Sequence, residues 1–324
     1  MIQATIRSVW FYVFCLSLLI IGCSSNNFSN KADNQDSQTN APKEVVVSKA
    51  NNENELRDRL EQISQAAQGR VGITATVLET GETVTVNGDQ QFPMQSVYKF
   101  PIAMAVLAQV DKGKLKLDQK IQIEASDIVQ DSRILDENSQ GREYSLAELL
   151  QYMVSESDST ACDALLRLIG EPQRATKYLR DLGVDDIVIA NTENEIQFAQ
   201  DPSLQYRNYA TPDAAVNLLR AFHQGRGLSE SSQTLLRQWM TKTSTGSNRI
   251  KALLPEGTVV AHKTGTSATI DGVTAATNDV GLVTLPDGRH LAIAVFVSDS
   301  TANNAIREEV IAKVTRAVWD EWRQ

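Results

Sequence analysis

Ser96 precedes Lys99 by three residues in Met94-Gln95-Ser96-Val97-Tyr98-Lys99-Phe100, at the head of an apolar, helix-like run. If the helix opens at Ser96, Lys99 returns to the same face one turn later, where i,i+3 side chains touch. A hydroxyl is a weak nucleophile at its free pKa, and a neighbouring amine that accepts its proton makes the two a nucleophile and base. The same residues also fit an N-cap followed by a surface lysine, so their meaning depends on what accompanies them. Two further motifs do: Ser157-Asp158-Ser159, on a short connection between helical patterns, and Lys263-Thr264-Gly265-Thr266, on a strand expected at a sheet edge. The latter joins an ammonium and hydroxyls suited to a carboxylate with a glycine that allows close approach to the backbone.

The elements that must position these residues are legible in the hydrophobic pattern. Leu56, Leu60 and Ile63 form a helical stripe within 52–67, and Val71–Val77 and Thr83–Val86 alternate with period two around the turn signal Thr80-Gly81. From about 100 to 255 the pattern is mainly helical. Ser145 to Glu148 reads as a capping box, Gly170 as the stop of a helix over 160–169, and Thr211-Pro212 as an N-cap with an N1 proline. Strands return at 258–265, 280–285 and 291–297, and 304–322 closes the chain as an amphipathic helix. The expected fold is therefore α+β: an antiparallel sheet assembled from both chain ends with flanking helices, an inserted all-helical lobe, and the site between them.

Ahead of this body, residues 1–22 have one early positive charge, Arg7, then an apolar run over 9–21, the layout of a secretory signal. That run is shorter than the roughly 18 residues expected of a membrane span, although an uncleaved anchor is the alternative. Ile20-Ile21-Gly22-Cys23 resembles a bacterial lipobox, which implies a lipidated Cys23 and an exported, periplasmic or cell-surface protein. Residues 23–50 are polar and read as a disordered tether, leaving 51–324 as the body.

A net charge of −9 without a basic stripe argues against a nucleic-acid partner. Of three cysteines only Cys162 lies in the body, so no internal disulfide is expected there. His223, His262 and His290 are scattered, with no two-histidine metal spacing, and no Gly-x-Ser-x-Gly elbow or phosphate loop occurs. Each histidine is expected to be structural or on the surface.

In their order and spacing, Ser96-x-x-Lys99, Ser157-Asp158-Ser159 and Lys263-Thr264-Gly265-Thr266 resemble the motifs of class A serine β-lactamases, over roughly residues 50–324. The resemblance implies opening of the β-lactam amide by Ser96 through an acyl-enzyme, conferring resistance to penicillins and/or cephalosporins. Lys99 would serve as base if burial and the nearby Lys263 hold its amine neutral; Glu193 is the alternative acylation base. Ser157 would relay a proton to the leaving nitrogen. Backbone N–H groups of Ser96 and Thr266 would form the oxyanion hole, and Thr264, Gly265 and Thr266 would receive the substrate's carboxylate. Arg249 would add positive charge beneath the lysine motif. Asp158 is expected to brace its loop.

Two departures from the family pattern stand out. Ser159 replaces the usual asparagine, which alters contact with the substrate's acylamino side chain. The loop that carries the deacylating glutamate reads Asn191-Thr192-Glu193-Asn194-Glu195-Ile196-Gln197. Glu193 fits the family frame better than Glu195, with Ile196 as apolar anchor, Gln197 as the amide that holds the water, and Asn191 where an arginine would brace the loop. Gln95, His262 and the altered loop are together similar to the cephalosporin-favouring branch. The resemblance implies no metal or organic cofactor, and a monomer is expected. Other functions compatible with the motifs are a penicillin-binding carboxypeptidase or transpeptidase, a serine-dependent glutaminase, and a non-hydrolytic lipoprotein that binds β-lactam or peptidoglycan.

Overall fold

Alternation along 290–298 organises the molecule. Leu291, Ile293, Val295 and Val297 point to one face of a sheet, and Ala292, Ala294 and Phe296 to the other, all buried, because successive side chains in a strand face opposite ways. The first face is covered by the two terminal helices and the second by the inserted helical lobe, so the strand is apolar on both sides.

The computed structural model describes residues 43–198 and 201–323. The expected signal, the lipidated Cys23 and the tether as far as residue 42 lie outside the described residues. The main strands are β1 (Arg70–Val77), β2 (Thr83–Val86), β3 (Val260–Thr266), β4 (Thr277–Thr284) and β5 (His290–Ser298). They form one antiparallel sheet in the order β2-β1-β5-β4-β3. The N-terminal hairpin thus adds directly to the C-terminal strands, with Arg70 opposite Ser298 and Val77 opposite Leu291. Strand β3, which carries the lysine motif, is an edge, as its sequence suggests.

The helices are α1 (Lys43–Ser64), α2 (Lys99–Asp111), α3 (Leu146–Gln151), α4 (Ser159–Ile169), α5 (Pro172–Asp181), α6 (Glu193–Phe198), α7 (Pro212–His223), α8 (Glu230–Thr241) and α9 (Asn304–Trp322). Helix α1 opens at Lys43, so 43–50, expected as the end of the tether, is helical. Among the described residues no helix is long and apolar enough to cross a membrane.

Three boundary signals act as their chemistry dictates. Ser145 and Glu148 form a reciprocal capping box, Gly170 ends α4 in the left-handed region at φ 91°, and the Thr211 side chain accepts from Ala214 N ahead of Pro212. Helix α3 is short because a π-helical turn, Tyr152–Glu156, follows it and delivers Ser157 in the left-handed region. In α2 every residue from Lys99 to Ala108 is buried, which makes it the central helix of the lobe, packed against α4, α5 and α8.

Candidate active site

Ser96 lies in a 3₁₀ turn, Gln95–Tyr98, and the α-helix proper begins at Lys99. The difference from the expected opening at Ser96 has a cause in the approach to the turn. Gln95 is held at φ 47°, a strained value for a side chain other than glycine. Buried Asn278 of β4 donates to Pro93 O (2.7 Å) and Met94 O (3.2 Å), and Met94 N donates to Asn208 O. The Ser96 N–H falls in the first turn, where no partner within the turn exists. It is therefore free for a bound group.

Strand β3 packs directly on this turn. A Cβ at Gly265 would sit 2.2 Å from Met94 O and 3.2 Å from Val97 N. The glycine is thus required by the protein's own backbone, more than by a ligand as expected from sequence.

Lys99 is fully buried, and its Nζ faces Ser157 O (2.7 Å), Ser159 Oγ (3.1 Å) and Glu193 Oε1 (2.8 Å). Ser157 O and Ser159 Oγ accept hydrogen bonds from it, and Glu193 is its ion-pair partner. No hydrogen bond joins Lys99 to Ser96 Oγ among the described residues. The depressed amine is that of Lys263, driven well below the ordinary lysine range by burial and then by the charge of Lys99. Lys263 Nζ donates to Ser157 Oγ (2.8 Å) and Thr264 O (3.1 Å). Ser157 therefore bridges the two lysines, carbonyl to one and hydroxyl to the other.

Burial pushes the Glu193 carboxyl up, but the Lys99 charge and hydrogen bond, with Tyr98 and Lys263 adding, hold it below the ordinary glutamate range. Glu195 has a different task. Its Oε2 accepts from Asn191 Nδ2 and Thr192 N, both at 3.0 Å, while Glu195 N donates to Thr192 Oγ1, a capping box that starts α6. The lost arginine is replaced by Asp163 of α4, which accepts from Glu193 N (2.9 Å) and Asn194 N (2.8 Å). Asn208 Oδ1 adds bonds from Ala190 N and Asn191 N.

Gln197 ties its loop to a neighbouring one. Its amide is paired on both sides with Gln130, accepting from N at 2.8 Å and donating to O at 2.9 Å, on an exposed face. These two bonds brace the loop, and the amide keeps a second N–H and a second lone pair.

Beneath β3, Arg249 is buried and donates to Gly265 O (3.2 Å), Asn278 O (2.9 Å) and Thr266 Oγ1 (2.8 Å), with Glu308 3.0 Å from its Nε. Glu308 offsets part of the positive charge expected there. Thr264 Oγ1 meets Thr245 Oγ1 at 2.7 Å. His262 is structural: its Nδ1 lies 2.9 Å from both oxygens of buried Asp279. Asp158 caps α4 through Ala161 N and accepts from Ile134 N and Leu135 N, bracing its loop.

A cavity of about 180 Å³ is lined by Ser96, Ser157, Ser159, Thr264 and Thr266, together with Asp131, Ser132, Arg133 and Thr245. Sequence reasoning missed these last four, and also Asp163 and Asn278. A signal existed for the latter pair, since each is a polar residue on an otherwise apolar, buried face; the loop residues carried none.

A serine at the head of a central helix, two buried lysines joined through a second serine, and a carboxylate against one of the lysines define a serine acyl-transfer hydrolase. The family model described as the β-lactamase enzyme family matches residues 55–322. The extended-spectrum β-lactamase PER-1 of Pseudomonas aeruginosa is 42% identical over 267 residues, 82% of this chain and 86% of that protein. β-Lactamase VEB-1 of the same organism is 41% identical over 280 residues, 85% of this chain and 93% of that protein. A solved β-lactamase from Chitinophaga pinensis matches with a TM-score of 0.79 at 47% identity, covering 82% of this chain and 98% of that one. The chain belongs to the β-lactamase enzyme family, as a class A serine β-lactamase.

Proposed function

We propose that the cleft hydrolyses the β-lactam amide in two steps, with Ser96 as nucleophile and Glu193 as the base that activates the deacylating water. The observation that carries this reading is the 2.8 Å contact between Lys99 and Glu193 at the head of the Ser96 helix. One proton transfer across it converts ammonium and carboxylate into amine and acid, so the pair supplies a base for acylation without a third group. The ring nitrogen that leaves Ser96's adduct receives its proton from the Ser157 hydroxyl, resupplied by Lys263 at 2.8 Å.

The Ser96 and Thr266 N–H groups stabilise the tetrahedral oxyanion. The substrate carboxylate lies against Lys263, Thr264 and Thr266, with Arg249 orienting the Thr266 hydroxyl. Ser159 accepts from Lys99 and keeps its own hydroxyl hydrogen for the substrate's acylamino carbonyl. Cephalosporins, the substrates favoured by the branch that the sequence resembles, are the preferred class. A penicillin-binding transpeptidase needs no carboxylate against Lys99, and Glu193 favours hydrolysis over a stable adduct.

Turnover of a chromogenic cephalosporin, followed together with intact-protein mass, tests the reading. Repeated turnover with a transient adduct on Ser96 is expected; one stoichiometric burst and a lasting adduct would sink it. Export and attachment through a lipidated Cys23 are supported by the lipobox-like Ile20 to Cys23. Replacing Cys23 with alanine is expected to release active enzyme from membranes, whereas continued membrane association would favour an uncleaved anchor.

A further inference from the structure

Two of the three histidines, far apart in sequence, meet at the opposite end of the sheet from the cleft. Glu79 occupies the turn between β1 and β2, His290 is the first residue of β5, and His223 is the last of α7. The β1–β5 register brings Glu79 and His290 together, and α7 lies across both strands to deliver His223. His290 Nδ1 is 2.8 Å and His223 Nε2 3.8 Å from Glu79 Oε1, and one ligand atom from each residue lies within 4.8 Å of the others. The two rings are 4.4 Å apart at 50°. His290 pairs with Thr284 at one end of β5, while the lysine motif is level with Ala294 to Val297 towards the other.

We propose that Glu79, His223 and His290 form a site for a first-row divalent cation, with Zn²⁺ as the best fit, which fastens the β1–β2 turn to the ends of β5 and α7. Two imidazoles and a carboxylate are a recognised three-protein-ligand zinc set, with water as the fourth ligand. Tetrahedral zinc with bonds of about 2.0–2.1 Å places its ligand atoms roughly 3.3 Å apart, so the present spacings straddle the required one. The side chains can adjust, being 37% (Glu79), 22% (His223) and 27% (His290) exposed.

Two features prepare the site. The His290 backbone N–H donates to Glu79 Oε2 at 2.8 Å, which fixes the carboxylate and leaves Oε1 for the ion. His223 Nδ1 is buried without a partner among the described residues, so Nε2, the nitrogen directed at Glu79, is the one available to a ligand. Coordination places the His290 proton on Nε2, freeing Nδ1 for the ion. Arg237 is the opposing cation, and it lies against the Phe222 ring.

The test uses the full chain purified without a polyhistidine tag, titrated with ZnCl₂ and separately with Co²⁺. Expected are one Zn²⁺ per chain, a thermal midpoint that rises with zinc and falls with chelator, and visible Co²⁺ bands of a tetrahedral nitrogen–oxygen site. Glu79→Gln and His290→Gln should each weaken zinc at least about 10-fold, with cephalosporin turnover unchanged. Absence of zinc binding, or equal binding by these variants, would overturn the proposal. If the variants do not fold, the wild-type Co²⁺ spectrum decides, because thiolate charge-transfer bands would place the ion on cysteine and overturn it too.

Discussion

Glu193 and Glu195 stand two positions apart on one loop, yet their surroundings give them separate chemistry. Glu193 is ion-paired with buried Lys99, and Glu195 is spent on the first turn of α6. Glu193→Gln is therefore expected to slow deacylation by roughly 10²–10⁴-fold and to let acyl-enzyme accumulate by mass. Glu195→Gln should cost only cap stability and leave turnover close to wild type; the reverse outcome would transfer the base to Glu195. Asp163 carries the pH dependence. Burial and the Glu193 charge push its carboxyl from 3.8 up to about 8, despite two backbone N–H donors. An acid with a raised folded pKa binds more protons folded than unfolded, so stability falls as pH rises from about 4 to 8 and levels off above. Asp163→Asn removes this contribution, and melting curves across that range should fall less steeply for the variant. Equal slopes would show that Asp163 is ionised in the folded protein.

Among elements, the decisive contact is edge strand β3 on the turn that carries Ser96. Any side chain at Gly265 meets the Met94 carbonyl, a backbone atom that cannot rotate away. Gly265→Ala should shift Ser96 relative to Lys263, and a displacement on the order of 1 Å costs about 100-fold in rate. Circular dichroism and acylation kinetics separate this from unfolding: a folded variant with slow labelling is expected, and wild-type labelling would show that the turn tolerates the methyl. The same packing explains what sequence patterning showed and what it did not. Caps at Ser145, Gly170 and Thr211 are local chemistry and were legible. The 3₁₀ turn at Ser96 and the π turn before Ser157 were not, because both depend on distant anchors, Asn278 for the first and the left-handed Ser157 between two lysines for the second.

At the scale of the molecule, the last helix completes a core that begins with the first strand. Helix α9 buries Val310, Ile311, Val314, Val318 and Trp319 against the β1–β5 face and α1. At about 1.5–3 kcal/mol for each large apolar side chain, this burial is comparable with the entire stability of a domain, about 5–15 kcal/mol. Deleting 304–324 is expected to leave a chain without a cooperative melting transition or turnover; a folded, active truncation would show that the α1 side suffices.

The amino-acid sequence by itself determined the proposed nucleophile, the three motifs and their order, and an antiparallel sheet drawn from both chain ends. These follow from local periodicity, caps and residue chemistry, which are written along the chain. Only the tertiary structure decided how the charges are shared. It paired Lys99 with Glu193, gave Gln197 to Gln130, replaced the absent loop arginine with Asp163, and gathered Glu79, His223 and His290 into one cluster. The reason is physical: a buried charge is defined by the partners and desolvation around it, and those come from segments that no local pattern connects.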